Sequence, residues 1–382
     1  MNQQQELPQT REELNARIDQ LWREELEWVR QHPNPDLTEF SELIKKETHK
    51  SNVNKLPPLD IAMWPADVFC NINIGNTEKF NDHFIEPPME TRASGGEKIF
   101  WGFHNGMVLL LLSHLIIGNE DPISLLLFYL IVLVVIGPII YFVTFRFGKE
   151  KLGPTRYNRQ AQLVHIDNGK GHVAHIPWRN AVPLVQTGFW PSSMMRICVP
   201  RPQADAEEFN LRTSRAPGTL DDNLRDIYGI DIALSNEDHS SIHSNLQRLE
   251  FMRRYMEHGL QAIQPHPQAI EQGLVKDPEQ RDAPKRICAT GWDGKYVIYP
   301  LGRIWHYFCF GPWLDSRARR RLEGFEWNDE VKNLCGPNPD LRGLNTRPVK
   351  SRTDVYYRPD GASYRLVDRW GNPLRFEPAK QA

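Results

Sequence analysis

The chain has 382 residues, a formal net charge of -2 and a mean hydropathy of -0.53. That length holds two or more domains with real cores, and the negative hydropathy excludes a polytopic transporter. The near-neutral charge gives no global attraction to nucleic acid, so no nucleic-acid partner is expected.

The first residues, MNQQQELPQTREELNARIDQ, lack the apolar core and cleavage site of a signal peptide, so a cytosolic start is expected. Thr10 stands three residues before Glu13, the spacing of a capping box. Leu14, Ile18, Leu21, Trp22 and Val29 then recur at helical spacing, and HPNP predicts a stop near Gln31. A shorter helix is predicted from Leu37 to Lys46. From Ser51 to Gly96 the chain is rich in Pro and Asn with β-like runs such as DVFCNINI, and RASGGEK reads as a flexible joint.

Two apolar runs follow. Phe100 to Gly118 is 19 residues without a formal charge, and Ile123 to Phe145 is 23, with only NEDP between them. At about 1.5 Å per residue each covers the roughly 30 Å core of a bilayer. The expectation is a transmembrane helical hairpin at 99–146, between a cytosolic N-terminal region with an amphipathic helix (1–98) and a cytosolic mixed α/β domain (147–382) of the α+β class. Arg92, Lys98, Arg146, Lys149, Lys151, Arg156 and Arg159 flank the hairpin, while Glu120 and Asp121 occupy its turn. By the positive-inside rule both termini are cytoplasmic and the turn faces out. Gly137-Pro138 is expected to kink the second helix. Gly102, Gly106, Ser113 and His114 are candidate packing or partner contacts of the first, together with Gly137 and Pro138 of the second. An ionisable group in a span invites a proton-site reading for His114, but with no acid or base beside it a contact between helices is the expectation.

Beyond the hairpin, RYNRQAQLVHIDNGKGHVAHIPWRNAVPLV holds two alternating runs around Asp167-Asn168-Gly169, a strong hairpin signal. Its histidines 165, 172 and 175 raise the question of a metal. Strand parity puts His172 and His175 on opposite faces, so His165 joins only one of them, too few ligands for zinc. SSMMRICVPRP fits a strand, and Pro217 to Gly229 a turn plus a short helix. Ile242, Leu246, Leu249, Met252, Met256, Leu260 and Ile263 trace one face of a soluble helix that Pro265 stops, and Gln264 to Lys285 reads as a surface connector. YVIYPLGRIWHYFCFGPWLDSRARRR joins aromatics to arginines. Trp305, Phe308, Trp313, Arg317, Arg319, Arg320 and Arg321 fit a membrane interface, and the same pattern fits a core segment ending in a solvated basic turn. The tail, VYYRPDGASYRLVDRW, reads as short strands around a P-D-G-A turn.

The five cysteines, Cys70, Cys198, Cys288, Cys309 and Cys335, are scattered, which fits reduced thiols. No nucleophile elbow, zinc helix, phosphate loop or dinucleotide fingerprint is present, so neither catalysis nor a cofactor is expected. The hairpin followed by RYNRQAQLVHI and HVAHIPWRN resembles a family of bacterial two-helix inner-membrane proteins. In that family an FNR-like strand, a turn and a strand ending in Trp follow the second span, and Tyr157-Asn158-Arg159 and Ile176-Pro177-Trp178 hold those places. Some members resemble immunity proteins of type VI secretion effectors. The resemblance implies a non-enzymatic inner-membrane protein with the lipid bilayer and a secreted effector as partners. The alternative is a membrane-tethered scaffold or signalling adaptor that binds a cytosolic protein or a lipid headgroup. The oligomeric state stays open.

Overall fold

Thr10 caps the first helix in the way its spacing predicts: its hydroxyl accepts from the Glu13 amide at 3.1 Å, and the Glu13 carboxylate accepts from the Thr10 amide at 3.3 Å. The structure is a computed structural model that describes residues 10–49, 53–68, 77–87, 95–117, 122–147, 154–168, 171–187, 193–213, 224–228, 242–273, 296–297, 299–361 and 363–374. Residues 69–74 of the run DVFCNINI and residues 92–94 of RASGGEK lie outside these residues, as do Cys70 and Cys288, while Gly95 to Lys98 of the expected flexible joint form the first turn of a helix.

In chain order the elements begin with α1 (Arg11–Gln31), α2 (Thr38–Thr48), β1 (Val53–Lys55), β2 (Ala62–Met63) and β3 (Phe84–Ile85). The helices α3 (Gly95–Ile117) and α4 (Pro122–Phe147) follow. Next come β4 (Thr155–Asn158), β5 (Leu163–Asp167), β6 (Val173–Pro177), β7 (Val182–Thr187), β8 (Ser193–Pro200), α5 (Gln203–Thr213) and β9 (Leu224–Tyr228). The chain continues through α6 (Ile242–His258), α7 (Pro267–Glu271), α8 (Tyr299–Phe308), α9 (Gly311–Glu323) and α10 (Asp329–Leu334), and closes with β10 (Val355–Asp360) and β11 (Ser363–Asp368). They fall into two units. Unit 1 comprises residues 1–89, 153–287 and 327–382, and unit 2 comprises 90–152 and 288–326.

Unit 1 is built on three small sheets, ordered β1-β7-β8-β9, β11-β10-β2 and β3-β4-β5-β6. Each takes one short strand from the N-terminal stretch: β1 pairs with β7, β2 lies parallel to β10, and β3 pairs with β4. The Asp167-Asn168-Gly169 signal gives the β5–β6 hairpin, with His165 opposite His175. The apolar stripe of α1 packs Leu26 and Val29 on Ala161, Leu163 and Leu334, while Phe40 and Ile44 of α2 cover Val53, Leu184 and Cys198. Helix α6 buries Leu246, Leu249, Met252, Met256, Leu260 and Ile263 along the expected stripe extended into the following turn, and it also buries Glu250 and Arg253. It is enclosed on more than one face, which its charged residues concealed in the sequence. Where a turn and short helix were expected over Pro217 to Gly229, the described part is the strand β9, because its backbone pairs with β8 from Leu224 to Tyr228.

In unit 2, α3 and α4 pack together as a hairpin. They run antiparallel: the Tyr129 hydroxyl lies 3.2 Å from Nδ1 of His114, and a Cβ added at Gly137 would lie 3.5 Å from Nε2 of His104. The reading of this hairpin as two membrane spans is overturned. Among the described residues no helix is long and apolar enough to cross a membrane. In α3 the charged or polar residues Glu97, Lys98, His104, Asn105, Ser113 and His114 interrupt the apolar sequence. The fold is mixed α/β with a helical hairpin. The transmembrane segment at 99–146 and the two-span location in an inner membrane, with both termini cytoplasmic, are not supported.

Candidate functional site

The sequence between Tyr299 and Glu323 folds as two short helices because Phe310, at φ 53°, turns the chain between them. Within unit 2, α8 lies against α3 at Gly102, where an added Cβ would come within 2.7 Å of the Trp305 ring and 2.9 Å of Cys309 Sγ. Only a glycine fits that approach. One turn further on, the Asn105 amide donates to the Phe308 carbonyl. Leu314 and Cys309 are buried, and Lys98 pairs with Asp315 at 3.5 Å. Trp101 meets Phe310 and Trp313 edge to face, with ring centroids 5.4 and 6.1 Å apart.

This packing fixes an outward face of large rings. Trp305 and Trp313 are each 49 % exposed, and Ile304, Tyr307 and Phe310 are exposed beside them. Arg303 lies 5.9 Å over the Tyr307 ring and Arg317 5.8 Å over that of Trp313. The hairpin adds further exposed apolar side chains, among them Leu109, Leu110, Ile131 and Val134. Large exposed apolar side chains in such number mark a candidate interaction surface.

The residues singled out from sequence are divided by this arrangement. Gly102 and Trp305, drawn from separate motifs, meet in one contact. Phe308 is half-buried on α8, and Arg317 and Arg320 are exposed on α9. The side chains of Arg319 and Arg321 lie outside the described residues. Gly106 faces open space, and Pro138 sits exposed inside α4. The Ser113 hydroxyl donates back to the Leu110 carbonyl at 2.8 Å. His114 meets Tyr129, a contact between the two hairpin helices.

Unit 1 holds a buried polar chain that the sequence only hinted at. The Asn158 amide donates to Nε2 of His165 (3.3 Å), Nδ1 of His165 faces Nδ1 of His175 (3.0 Å), and Nε2 of His175 faces the Glu330 carboxylate (3.1 Å). One tautomer assignment fits the links of the two rings: His165 donates from Nδ1 and His175 donates from Nε2. His172 points elsewhere, stacked on Trp22 and 3.1 Å from Asp19. Among the described residues no group of three or more His, Cys, Asp or Glu is placed to hold a metal. Cys335 accepts from the same Asn158 amide at 3.4 Å, and burial pushes its thiol up to about 11. A thiol so protonated beside a neutral imidazole is no activated nucleophile. The network stabilises structure.

Burial, with the nearby His175 and Arg156, holds His165 well below the ordinary histidine range. Because the unfolded chain then binds the extra proton more readily, stability is full above about pH 6.5. It falls by about 1.4 kcal/mol per pH unit below that, down to the folded value. Urea midpoints at pH 7.5 and 5.5 measure this slope, and His165→Leu is expected to remove its share. An unchanged slope in the variant means that His165 is not its source.

No family model, curated protein or solved structure matches the chain.

Two clusters had no sequence signature. Glu86 Oε2 accepts from Arg156 at 2.7 and 3.1 Å and from the Trp327 indole at 2.8 Å, joining three distant parts of the chain. Glu250, Arg253 and Glu257 form a second buried ion network on α6. One signal was available and passed unread. The pentapeptide PNPDL occurs twice, at 33–37 and 337–341, each time after a helix end. In both copies the aspartate caps its own turn, Asp36 accepting from the Thr38 amide and Asp340 from that of Arg342.

Proposed function

We propose that this chain is a non-catalytic adaptor that seats the aromatic and basic face of α8 and α9 on an anionic lipid surface, without crossing it. The observation that supports the reading is a face of half-exposed Trp305 and Trp313 on two short helices, with Arg303 over the Tyr307 ring and Arg317 over the Trp313 ring. Indole rings suit the boundary between headgroups and acyl chains, and each arginine near an anionic surface adds about 1 kcal/mol. Neutralisation of a secreted effector rests on the resemblance alone, and no contact among the described residues favours it.

Co-sedimentation of the full chain with vesicles tests this. Binding is expected to phosphatidylserine-containing vesicles and not to pure phosphatidylcholine, weakening as salt rises. The double variant Trp305→Ala, Trp313→Ala is expected to bind at least about tenfold more weakly. Indifference to anionic vesicles, with the chain dimeric in gel filtration through the same two residues, makes the face a self-association surface and overturns the proposal.

A further inference from the structure

Residues 335–354 connect α10 to β10 without a regular element, longer than the about 12–15 residues beyond which such loops are uncommon and usually functional. The segment is nonetheless firmly tied. Arg30 of α1 donates to the carbonyls of Asp340 and Arg342, both at 2.9 Å. Arg179 donates to the Arg347 carbonyl at 2.9 Å, and the Ser351 amide donates to Glu257 at 3.0 Å. Leu341 and Leu344 pack on the α1 cluster around Leu26 and Val29. At Gly343, with φ 77°, a Cβ would lie 3.1 Å from that of Arg30, so this position requires glycine to hold the loop against the helix.

The ties leave a recess of about 500 Å³ between the exit of α1 and this loop. That volume lies within the range of small-molecule sites. Pro33 and Asn34, from the first PNPDL copy, form one rim, and Gly343, Leu344, Asn345 and Arg347, following the second, form the other. Arg179 closes it from the turn Trp178–Asn180, where the fully buried Trp178 ring anchors the backbone.

We propose that this recess binds a small organic oxyanion, a carboxylate or a phosphate. The guanidinium of Arg347 has no hydrogen-bond or ion-pair partner among the described residues, and that of Arg179 makes one bond, to the Arg347 carbonyl. The nearby Asp340 carboxylate does not neutralise them, because Arg342 holds it at 2.9 Å through both oxygens and Arg30 adds a contact at 3.5 Å. Two forked donors, Arg347 on the tied loop and Arg179 on the turn Trp178–Asn180, match the planar oxygens of a carboxylate or the oxygens of a phosphate. Asn345 donates to Asn34 across the recess at 3.3 Å, placing amide groups beside them for a polar ligand body, while Pro33 and Leu344 offer an apolar floor.

Thermal midpoints of the full chain, titrated with inorganic phosphate or with succinate against sodium chloride at matched ionic strength, test the site. A saturable rise is expected with at least one probe, and which one identifies the oxyanion. Arg347→Gln is expected to weaken the response at least about tenfold while leaving the midpoint without ligand unchanged, since the side chain is exposed. Arg347→Lys keeps the charge but loses the fork and is expected to fall between. The proposal fails if neither probe exceeds the chloride control, or if the response survives in Arg347→Gln.

Discussion

Replacing Arg253 by methionine is expected to destabilise unit 1 by about 3–5 kcal/mol, the usual cost of removing one member of a buried ion pair. The guanidinium is 4 % exposed and bonds Glu250 at 2.6 and 2.8 Å and Glu257 at 2.6 Å. It also bonds the Ser351 hydroxyl. Glu250, 1 % exposed, accepts in addition from the Met63 amide of β2 and from Arg254. Without Arg253 two buried carboxylates face each other on one helix, and only Arg254 remains to balance Glu250. The double variant Arg253→Met, Glu250→Gln is expected to recover part of the loss, because it removes the stranded charge. Urea unfolding of the three proteins gives the numbers, and a loss below about 1 kcal/mol in the single variant means that the network carries no net stability.

Glu86→Ala is expected to cost about 3 kcal/mol for the same reason in reverse, since it leaves a buried cation. Arg156 is 13 % exposed, lies 4.1 Å over the Phe84 ring and 5.0 Å over the Trp327 ring, and has Glu86 as its carboxylate partner. The Trp327 indole loses its acceptor as well. Burial alone would raise the Glu86 carboxyl, but hydrogen bonds from Arg156 and Trp327 outweigh it and hold the group below its ordinary range. Its contribution is therefore present above about pH 4.5 and fades as pH falls through the lowered value. Glu86→Gln keeps an acceptor and is expected to cost less. Equal losses for the two variants would show that shape, and not charge, matters at this site.

Local patterns carried much of this fold. The Thr10–Glu13 box, the stripe of α6 and the turns of the β5–β6 and β10–β11 hairpins are read from residues a few positions apart, so the sequence displays them directly. The strands β1, β2 and β3 were not legible, because each has two or three residues and gains its stability from partners more than 70 positions away, as Ile85 does opposite Tyr157. The same distance hid the Glu86 and Arg253 networks and the recess between PNPDL copies about 300 residues apart. Hydrophobicity misled at the hairpin: apolar length identified two helices, but their described residues do not make a span. On the candidate face the aromatic and arginine content was visible, whereas the contact of Gly102 with Trp305 that orients it was not.

Amide hydrogen exchange on the full chain, with and without phosphatidylserine-containing vesicles, tests the lipid-surface reading most directly. The predicted result is added protection over residues 299–323, absent with phosphatidylcholine alone and absent from the sheets of unit 1. Unchanged exchange over those residues, or protection that is the same with both lipids, would contradict it.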